Sequence, residues 1–229
     1  MELLHGGYTL KICQGAFPLS TDSMLLADFV RMPPNASVLD LGSGCGTLGL
    51  LLCAKDPRCT VTGIELDAQA HETALENILE NNLSPRLTSV CADLKDICQR
   101  IDAGSFSCCI SNPPYFTSGP ASKAAPLARR DDRCSMAQLF HAAAWAIKFG
   151  GDFFLVHKPE RLAELFVCAH NENLEPKRLC LVRHRPNDPV SLVLVQCRKG
   201  AKPGLLWEEL CLFHADGHPT QKYKKIYHL

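Results

Sequence analysis

The sequence predicts an α/β fold in which a mostly parallel, seven-stranded sheet carries helices on both faces and an antiparallel strand near the C-terminus. Three observations make the case. Short runs rich in β-branched residues alternate with helical periodicity from about residue 36 to about residue 170, as expected of parallel strands joined by right-handed crossovers. A glycine-rich turn, Asp40-Leu41-Gly42-Ser43-Gly44-Cys45-Gly46, directly follows the first such run. Two late strand-like runs, 179–182 and 190–196, are joined by a short loop without room for a helix, so at least one is antiparallel.

Taken in order, residues 8–12 are a candidate strand and residues 24–30 a candidate helix, stopped by Pro33-Pro34. Residues 37–40 read as a buried strand leading into the glycine turn, and 48–55 as the helix behind it. The next strand, 60–65, ends at Glu65 and is followed by a helix over 68–81. A third strand at 87–91 ends beside Asp93, and a fourth at 106–111 runs into Asn112-Pro113-Pro114-Tyr115. The helix over 136–148 opens with Ser135 and Gln138 in capping-box spacing and stops at Gly150-Gly151. Residues 152–157 form a fifth strand and 161–170 a further helix, ahead of the two closing strands.

A chain of 229 residues holds one substantial core and not two. We divide it into an N-terminal cap segment (1–34), a core (35–200) and a basic tail (201–229), with no linker. No basic stretch followed by an apolar core opens the chain, and no apolar run is long enough to cross a bilayer. A cytoplasmic protein with no membrane partner is therefore expected. The thirteen cysteines are odd in number, include no C-x-x-C pair and often sit among apolar residues. A thiol there acts as a small hydrophobe, so no metal is expected. Residues 1–112 carry 7 Lys/Arg against 13 Asp/Glu, whereas residues 113–229 carry 17 against 11. A basic second half suits a polyanionic partner; ordinary scatter of charge explains it equally well.

Ligands of doubly wound sheets sit outside the carboxyl ends of the strands. Gly42, Ser43, Gly44 and Gly46 lie at such an end, where glycine allows a sharp turn and close backbone approach. The G-x-G-x-G spacing differs from the G-x-G-x-x-G of dinucleotide folds and disfavours a pyrophosphate. Asp40 can take a cationic amino group, directly or through water. Glu65, 25 residues on and followed by Leu66, can accept from both ribose hydroxyls. Asp93 can accept from an adenine amino group, with Leu94 covering the ring. Each acid alone has a plainer role, such as a helix cap for Asp93. Three acids at three successive strand ends, with the glycine turn, point to a nucleoside-bearing cofactor.

Asn112-Pro113-Pro114-Tyr115 supplies the other half of the site. An exocyclic amino nitrogen is a poor nucleophile because its lone pair is delocalised into the ring. Two acceptors that hold its two N–H groups localise that lone pair. The Asn112 side-chain carbonyl and the Pro113 backbone carbonyl are such acceptors, stiffened by consecutive prolines that carry no competing donor. Asn112 also faces the cofactor side, and Tyr115 can stack on a base. An isolated Asn-Pro-Pro-Tyr is an ordinary turn. At the end of the fourth strand of this sheet, it points to methyl transfer from S-adenosylmethionine onto an amino nitrogen.

On these motifs the chain resembles, over nearly its whole length, the class I S-adenosylmethionine-dependent methyltransferases, which have a Rossmann-like fold. Asp40 through Gly46 matches their first motif, Glu65 the ribose acid, Asp93 the adenine acid and Asn112-Pro113-Pro114-Tyr115 the amino-methylating motif. More narrowly, it is similar to the bacterial tRNA1(Val) adenine-37 N6-methyltransferases. That likeness lies in Ser20-Thr21-Asp22-Ser23-Met24-Leu25-Leu26, in Asn112 through Phe116 followed by an arginine segment, and in the stretches 158–162 and 174–179. The resemblance implies S-adenosyl-L-methionine as cofactor, with Asp22 lying over it, and methylation of adenine N6 in an RNA substrate, tRNA. Cys45 is an unusual residue for the glycine turn, and the neutral net charge is low for a tRNA enzyme.

Arg129, Arg130 and Arg133 are candidate phosphate contacts, or a solvated loop neutralised by Asp131 and Asp132. Tyr115 and Phe116 are the candidate base contacts. Lys222, Lys224 and Lys225, interleaved with Tyr223 and Tyr227, form either a second contact or an exposed tail. Asp22 has the plainer alternative of capping the helix near Met24. The same clamp serves protein glutamine and DNA adenine methyltransferases, which bring substrate domains or insertions for which this chain shows no room. A non-catalytic binding module would be favoured by loss of Asn112, Tyr115 or a motif glycine, and none is lost.

Overall fold

The computed structural model describes residues 2–4, 6–15, 19–114 and 134–229. Two short strands, β1 (Glu2–Leu3) and β2 (Thr9–Leu10), pair antiparallel ahead of helix α1 (Thr21–Phe29). The core then alternates β3 (Ser37–Leu41), α2 (Thr47–Lys55), β4 (Thr60–Glu65), α3 (Ala68–Glu80), β5 (Leu87–Cys91), α4 (Ile97–Arg100) and β6 (Phe106–Ser111). After α5 (Met136–Ala146) come β7 (Ile147–His157), α6 (Leu162–Asn171), β8 (Leu174–Arg183), β9 (Val190–Lys199), β10 (Leu206–Cys211) and α7 (Gln221–Tyr227).

The main sheet has eight strands in the order β10-β8-β9-β7-β6-β3-β4-β5. Strand β9 runs antiparallel to both neighbours and every other pairing is parallel. The seven expected strands are all present, and β10 adds an eighth at the edge. It is tied in by Arg178 of β8, which is 6 % exposed. The Arg178 guanidinium donates to Glu208 of β10 at 2.8 Å and to the Gln196 side chain of β9 at 3.2 Å, and lies 4.2 Å over the Phe29 ring.

Both faces of the sheet are covered, which is why its strands read as unbroken apolar runs rather than alternating ones. Val38 and Phe154 face one layer with Leu25, Leu26 and Phe29, whereas Leu39 and Phe153 face the other with Leu139 and Phe140. Edge-to-face pairs close each layer: Phe29 on Phe154 at 6.3 Å and Phe140 on Phe153 at 5.2 Å. Full burial of each such ring contributes about 1.5–3 kcal/mol.

Local chemistry sets the helix ends. Ser135 and Gln138 form the expected capping box at α5, Asp67 caps α3 and Ser20 caps α1. The C-terminal end of α5 differs from expectation. It finishes at Ala146, and the chain enters β7 at once, so Gly150 and Gly151 lie inside a strand. They sit beside a register shift between Phe106 and Cys108. A Cβ at Gly151 would stand 2.8 Å from the Ser107 carbonyl oxygen, so glycine there permits close strand approach rather than a helix stop.

The segment beyond β10 is not a free tail. Tyr223 and Tyr227 of α7 stack on one another and pack against the core layer of α1. The Tyr227 hydroxyl donates to Thr21 at 2.9 Å, and Lys222 pairs with Asp28 at 2.7 Å. These aromatics are spent on docking α7 against α1. Among the described residues, no helix is long and apolar enough to cross a membrane.

Candidate active site

The chain order reverses between β3 and β6, which lie side by side. Their carboxyl ends form the crevice where open α/β sheets bind ligands. The row of polar groups along this edge follows the strand order β6-β3-β4-β5: Asn112, then Asp40 and the glycine turn, then Glu65, then Asp93.

The turn between β3 and α2 is built on backbone geometry that side chains resist. Gly42 and Gly44 have φ of 76° and 55°, and a Cβ on either would meet nothing within 4 Å. Glycine is therefore required there by conformation, and the space above the turn is open. The Gly42 and Ser43 amides donate to the Ile64 carbonyl at 2.9 and 3.0 Å, which binds the turn to β4. Ser43 packs directly on Gly63 of β4, where a Cβ would stand 2.6 Å from its Oγ. Gly63 is thus a support of the turn that sequence reasoning missed; a lone glycine inside a β-branched strand was the available signal.

Glu65 joins the turn to its own strand end. One carboxylate oxygen accepts from the Gly44 amide at 2.7 Å and the other from the Asp67 amide at 2.8 Å. Each oxygen keeps capacity for a further donor, such as a ribose hydroxyl. Asp93 is half-buried and accepts from the Lys95 amide at 2.9 Å, capping a short 3₁₀ turn that begins at Leu94. Leu94 packs against the core, whereas Leu66 is 41 % exposed beside Glu65.

Asp40 is 1 % exposed, and neither of its carboxylate oxygens has a hydrogen-bond partner among the described residues. Burial, and secondarily the Glu65 charge, pushes its carboxyl up to about 8. A buried carboxylate without a donor is costly. A cationic group entering the turn would provide the missing counter-charge, so the residues present fit a ligand that carries an ammonium.

Asn112 follows β6 directly and is half-buried, with Pro113 buried behind it. Its side-chain nitrogen donates to the Ser23 hydroxyl at 3.0 Å. Ser23 is 7 % exposed, and its own amide donates to the Ser20 hydroxyl at 3.3 Å in the cap of α1. Ser23 therefore anchors the Asn112 amide to α1, with its nitrogen toward the hydroxyl and its carbonyl oxygen left as the acceptor end. Sequence reasoning missed this role. The signal was a small polar residue beside the apolar Met24-Leu25-Leu26, which needs a partner once buried. Asp22, on the same helix turn, has its carboxyl raised by burial and lowered in part by Lys158. At the end of β7 the His157 ring accepts from the Lys158 amide at 2.8 Å, and burial lowers its pKa. Tyr115, Phe116, Arg129, Arg130 and Arg133 lie outside the described residues.

The sequence model of the methyltransferase small domain family matches residues 18–167, from just before α1 through the middle of α6. The chain belongs to this family. A protein of Pseudoalteromonas translucida named tRNA1(Val) (adenine(37)-N6)-methyltransferase is 31 % identical over 80 % of this chain and 78 % of its own length. A Shewanella halifaxensis protein of the same name is 33 % identical over 71 % of this chain, a match spanning 65 % of that protein. Among solved structures, one described as a predicted O-methyltransferase from Agrobacterium tumefaciens superposes with a TM-score of 0.77 at 21 % identity. It covers 91 % of this chain and 96 % of its own. TYW2 of P. horikoshii in complex with MeSAdo superposes at 0.60 with 16 % identity, covering 86 % and 70 %. At such identities the structures establish a shared fold; the family and its relatives are established by sequence.

Proposed function

We propose that this methyltransferase binds S-adenosyl-L-methionine and transfers its methyl group to the exocyclic N6 of an adenine in tRNA. The observation that carries the reading is the row Asp93, Glu65, Asp40 with its glycine turn, and Asn112, one group at each of four neighbouring strands. Strands lie about 4.8 Å apart, so the row spans about 14 Å, room for an extended nucleoside with an amino-acid tail. In this reading Asp93 takes the adenine amino group, with Leu94 and Leu66 against the ring, and Glu65 takes the ribose hydroxyls. Asp40 and the turn of Gly42, Ser43, Gly44 and Gly46 take the ammonium end, and Asp22 lies over the ligand from α1. The relatives' names supply the acceptor, an adenine N6 in tRNA.

When bound, the cofactor supplies an electrophilic methyl group on a positively charged sulfur. The chain's own residues prepare the nucleophile. The Asn112 side-chain carbonyl and the Pro113 backbone carbonyl accept the two N–H groups, so the amino lone pair points at the methyl carbon. Held by these two acceptors, the nitrogen would take the methyl group that the cofactor supplies and then give up its surplus proton to solvent. No strong base is needed, because positioning carries most of the barrier reduction. Tyr115 and Phe116 would stack on the flipped base, at about 1–3 kcal/mol per base. Arg129, Arg130 and Arg133 would hold phosphates, within one cytoplasmic domain whose cap segment, residues 1–34, brings Asp22 and Ser23 to the site.

The test offers labelled S-adenosylmethionine and the protein to unmodified tRNA, to DNA and to a mixture of proteins. Label in tRNA, recovered as N6-methyladenosine, supports the reading. Label confined to glutamine in protein, or to DNA, would keep the clamp and overturn the acceptor.

A further inference from the structure

The methyl-transfer reading leaves Cys45 without a task, although it stands between Gly44 and Gly46 in the turn itself. Its Sγ lies 3.6 Å from the Sγ of Cys13, a residue 32 positions away in the N-terminal segment. We propose that Cys13 and Cys45 form an oxidisable dithiol site. It exchanges with a small-molecule disulfide to give an intramolecular Cys13–Cys45 bond, and that bond weakens cofactor binding at the adjoining turn.

The two sulfurs are brought together by a built scaffold. Asn77 of α3 is 1 % exposed. Its side-chain nitrogen donates to the Lys11 and Cys45 carbonyls, both at 2.9 Å, and its oxygen accepts from the Lys11 amide at 2.8 Å. One turn further on, Asn81 accepts from the Thr9 amide at 2.7 Å and donates to the Thr9 carbonyl at 2.8 Å. Two buried or half-buried amides thus hold the segment around Thr9 and Lys11 against α3 as a neighbouring strand would. Asn77 clamps this segment and the cofactor turn to one point, and Cys13 is held facing Cys45. Cys13 is half-buried and accessible to a reagent, whereas Cys45 is buried.

The exchange balances in two steps. The Cys13 thiolate attacks one sulfur of the reagent disulfide and releases one small thiol. Cys45, losing its proton to solvent, then attacks the Cys13 sulfur of the mixed disulfide and releases the second. Two protein thiols are oxidised and one reagent disulfide is reduced. Burial pushes the Cys45 thiol up to about 12, so closure is slow near neutrality and accelerates with pH. Closure shortens the sulfur separation from 3.6 Å to about 2.05 Å. That contraction pulls on the turn whose Gly44 amide holds Glu65. The dithiol site stands on the two thiols alone; its effect on the turn rests on the cofactor reading.

The experiment treats the full chain with oxidised glutathione, blocks remaining thiols and maps disulfides by mass spectrometry of unreduced peptides. S-adenosylhomocysteine affinity is measured by calorimetry before treatment, after it, and after reduction. The expected result is a Cys13–Cys45 linked peptide, a Kd raised about tenfold, recovery on reduction, and neither change in Cys13→Ser. Glutathione left on Cys13, or linkage only between other cysteine pairs, would overturn the site. A Cys13–Cys45 bond with unchanged affinity would overturn the coupling. If reduced protein fails to bind S-adenosylhomocysteine at all, the cofactor reading fails while the mapping still decides the dithiol.

Discussion

Replacing Ser23 by alanine removes one hydroxyl from the first turn of α1 and leaves an excellent helix former in its place. In the structure that hydroxyl accepts from the Asn112 side-chain nitrogen at 3.0 Å and sits in a position only 7 % exposed. Two effects follow. The Asn112 amide loses the contact that anchors it to α1, and an unanchored amide can turn N–H donors toward an amino group that needs acceptors. A half-buried donor also loses its partner, at about 1–3 kcal/mol. At about 1.4 kcal/mol per tenfold, kcat falls about 5- to 140-fold. S-adenosylhomocysteine affinity changes little, whereas the unpaired donor also lowers Tm. The assay is single-turnover methyl transfer to tRNA with Ser23→Ala, Asn112→Ala and the double variant. Ser23→Thr, which keeps the hydroxyl, should recover most of the rate, whereas shape-matched Ser23→Val should not. If Ser23 acts through Asn112, the double variant is no slower than Asn112→Ala alone. A Ser23→Ala rate within twofold of wild type, beside an inactive Asn112→Ala, would refute the positioning argument.

Three further outcomes are expected. Asp40 keeps its proton in the free protein up to about pH 8, against an ordinary 3.8, and must lose it to face an ammonium. S-adenosylhomocysteine should therefore bind more tightly, with proton release, as pH rises from about 6 to about 8, while 5′-methylthioadenosine, which lacks the ammonium, shows no such slope; parallel slopes would remove Asp40 from the ammonium site. By the same sign, this group's contribution to the stability of the free protein is full below 3.8 and declines as pH rises through about 8. Gly63→Ala drives a Cβ to 2.6 Å from the Ser43 Oγ and 2.7 Å from its Cβ, so thermal denaturation should show a loss of about 1–3 kcal/mol; an unchanged Tm would mean the turn shifts freely. Charge reversal at Arg129 and Arg130 should raise the KM for tRNA and flatten its salt dependence, and wild-type values would return that segment to a solvated loop.

The sheet and the row of polar groups at its strand ends were legible because their signals are local. A glycine turn behind a buried strand, an acid at each of two further strand ends and Asn112 after a fourth can be read without knowing any contact. The capping box of Ser135 and Gln138 is local in the same way. What escaped depended on partners distant in sequence. Strand β10 is an edge strand with Leu206, Trp207 and Glu209 all exposed, so it lacks the apolar run that marked the others. Its place is set by Arg178, 30 residues from Glu208. Gly150-Gly151 read as a helix stop because glycine breaks helices, but tight packing of β7 on β6 also requires it. Ser23 and Asn112 are 89 residues apart, and nothing in either local sequence names the other. Cys13, Cys45 and Asn77 belong to the same category: ordinary residues in their own segments, given meaning only by the fold.

In the proposed reaction everything turns on Asn112 presenting an adenine amino group to the cofactor's methyl. The most direct measurement compares wild type and Asn112→Ala on unmodified tRNA by mass spectrometry of the digested nucleosides, with S-adenosylhomocysteine affinity measured on both. Expected are N6-methyladenosine from wild type, a loss of at least about a hundredfold in the variant, and nearly equal cofactor affinity. N6-methyladenosine formed at the wild-type rate by Asn112→Ala, or a methylated tRNA nucleoside other than N6-methyladenosine from wild type, would contradict it.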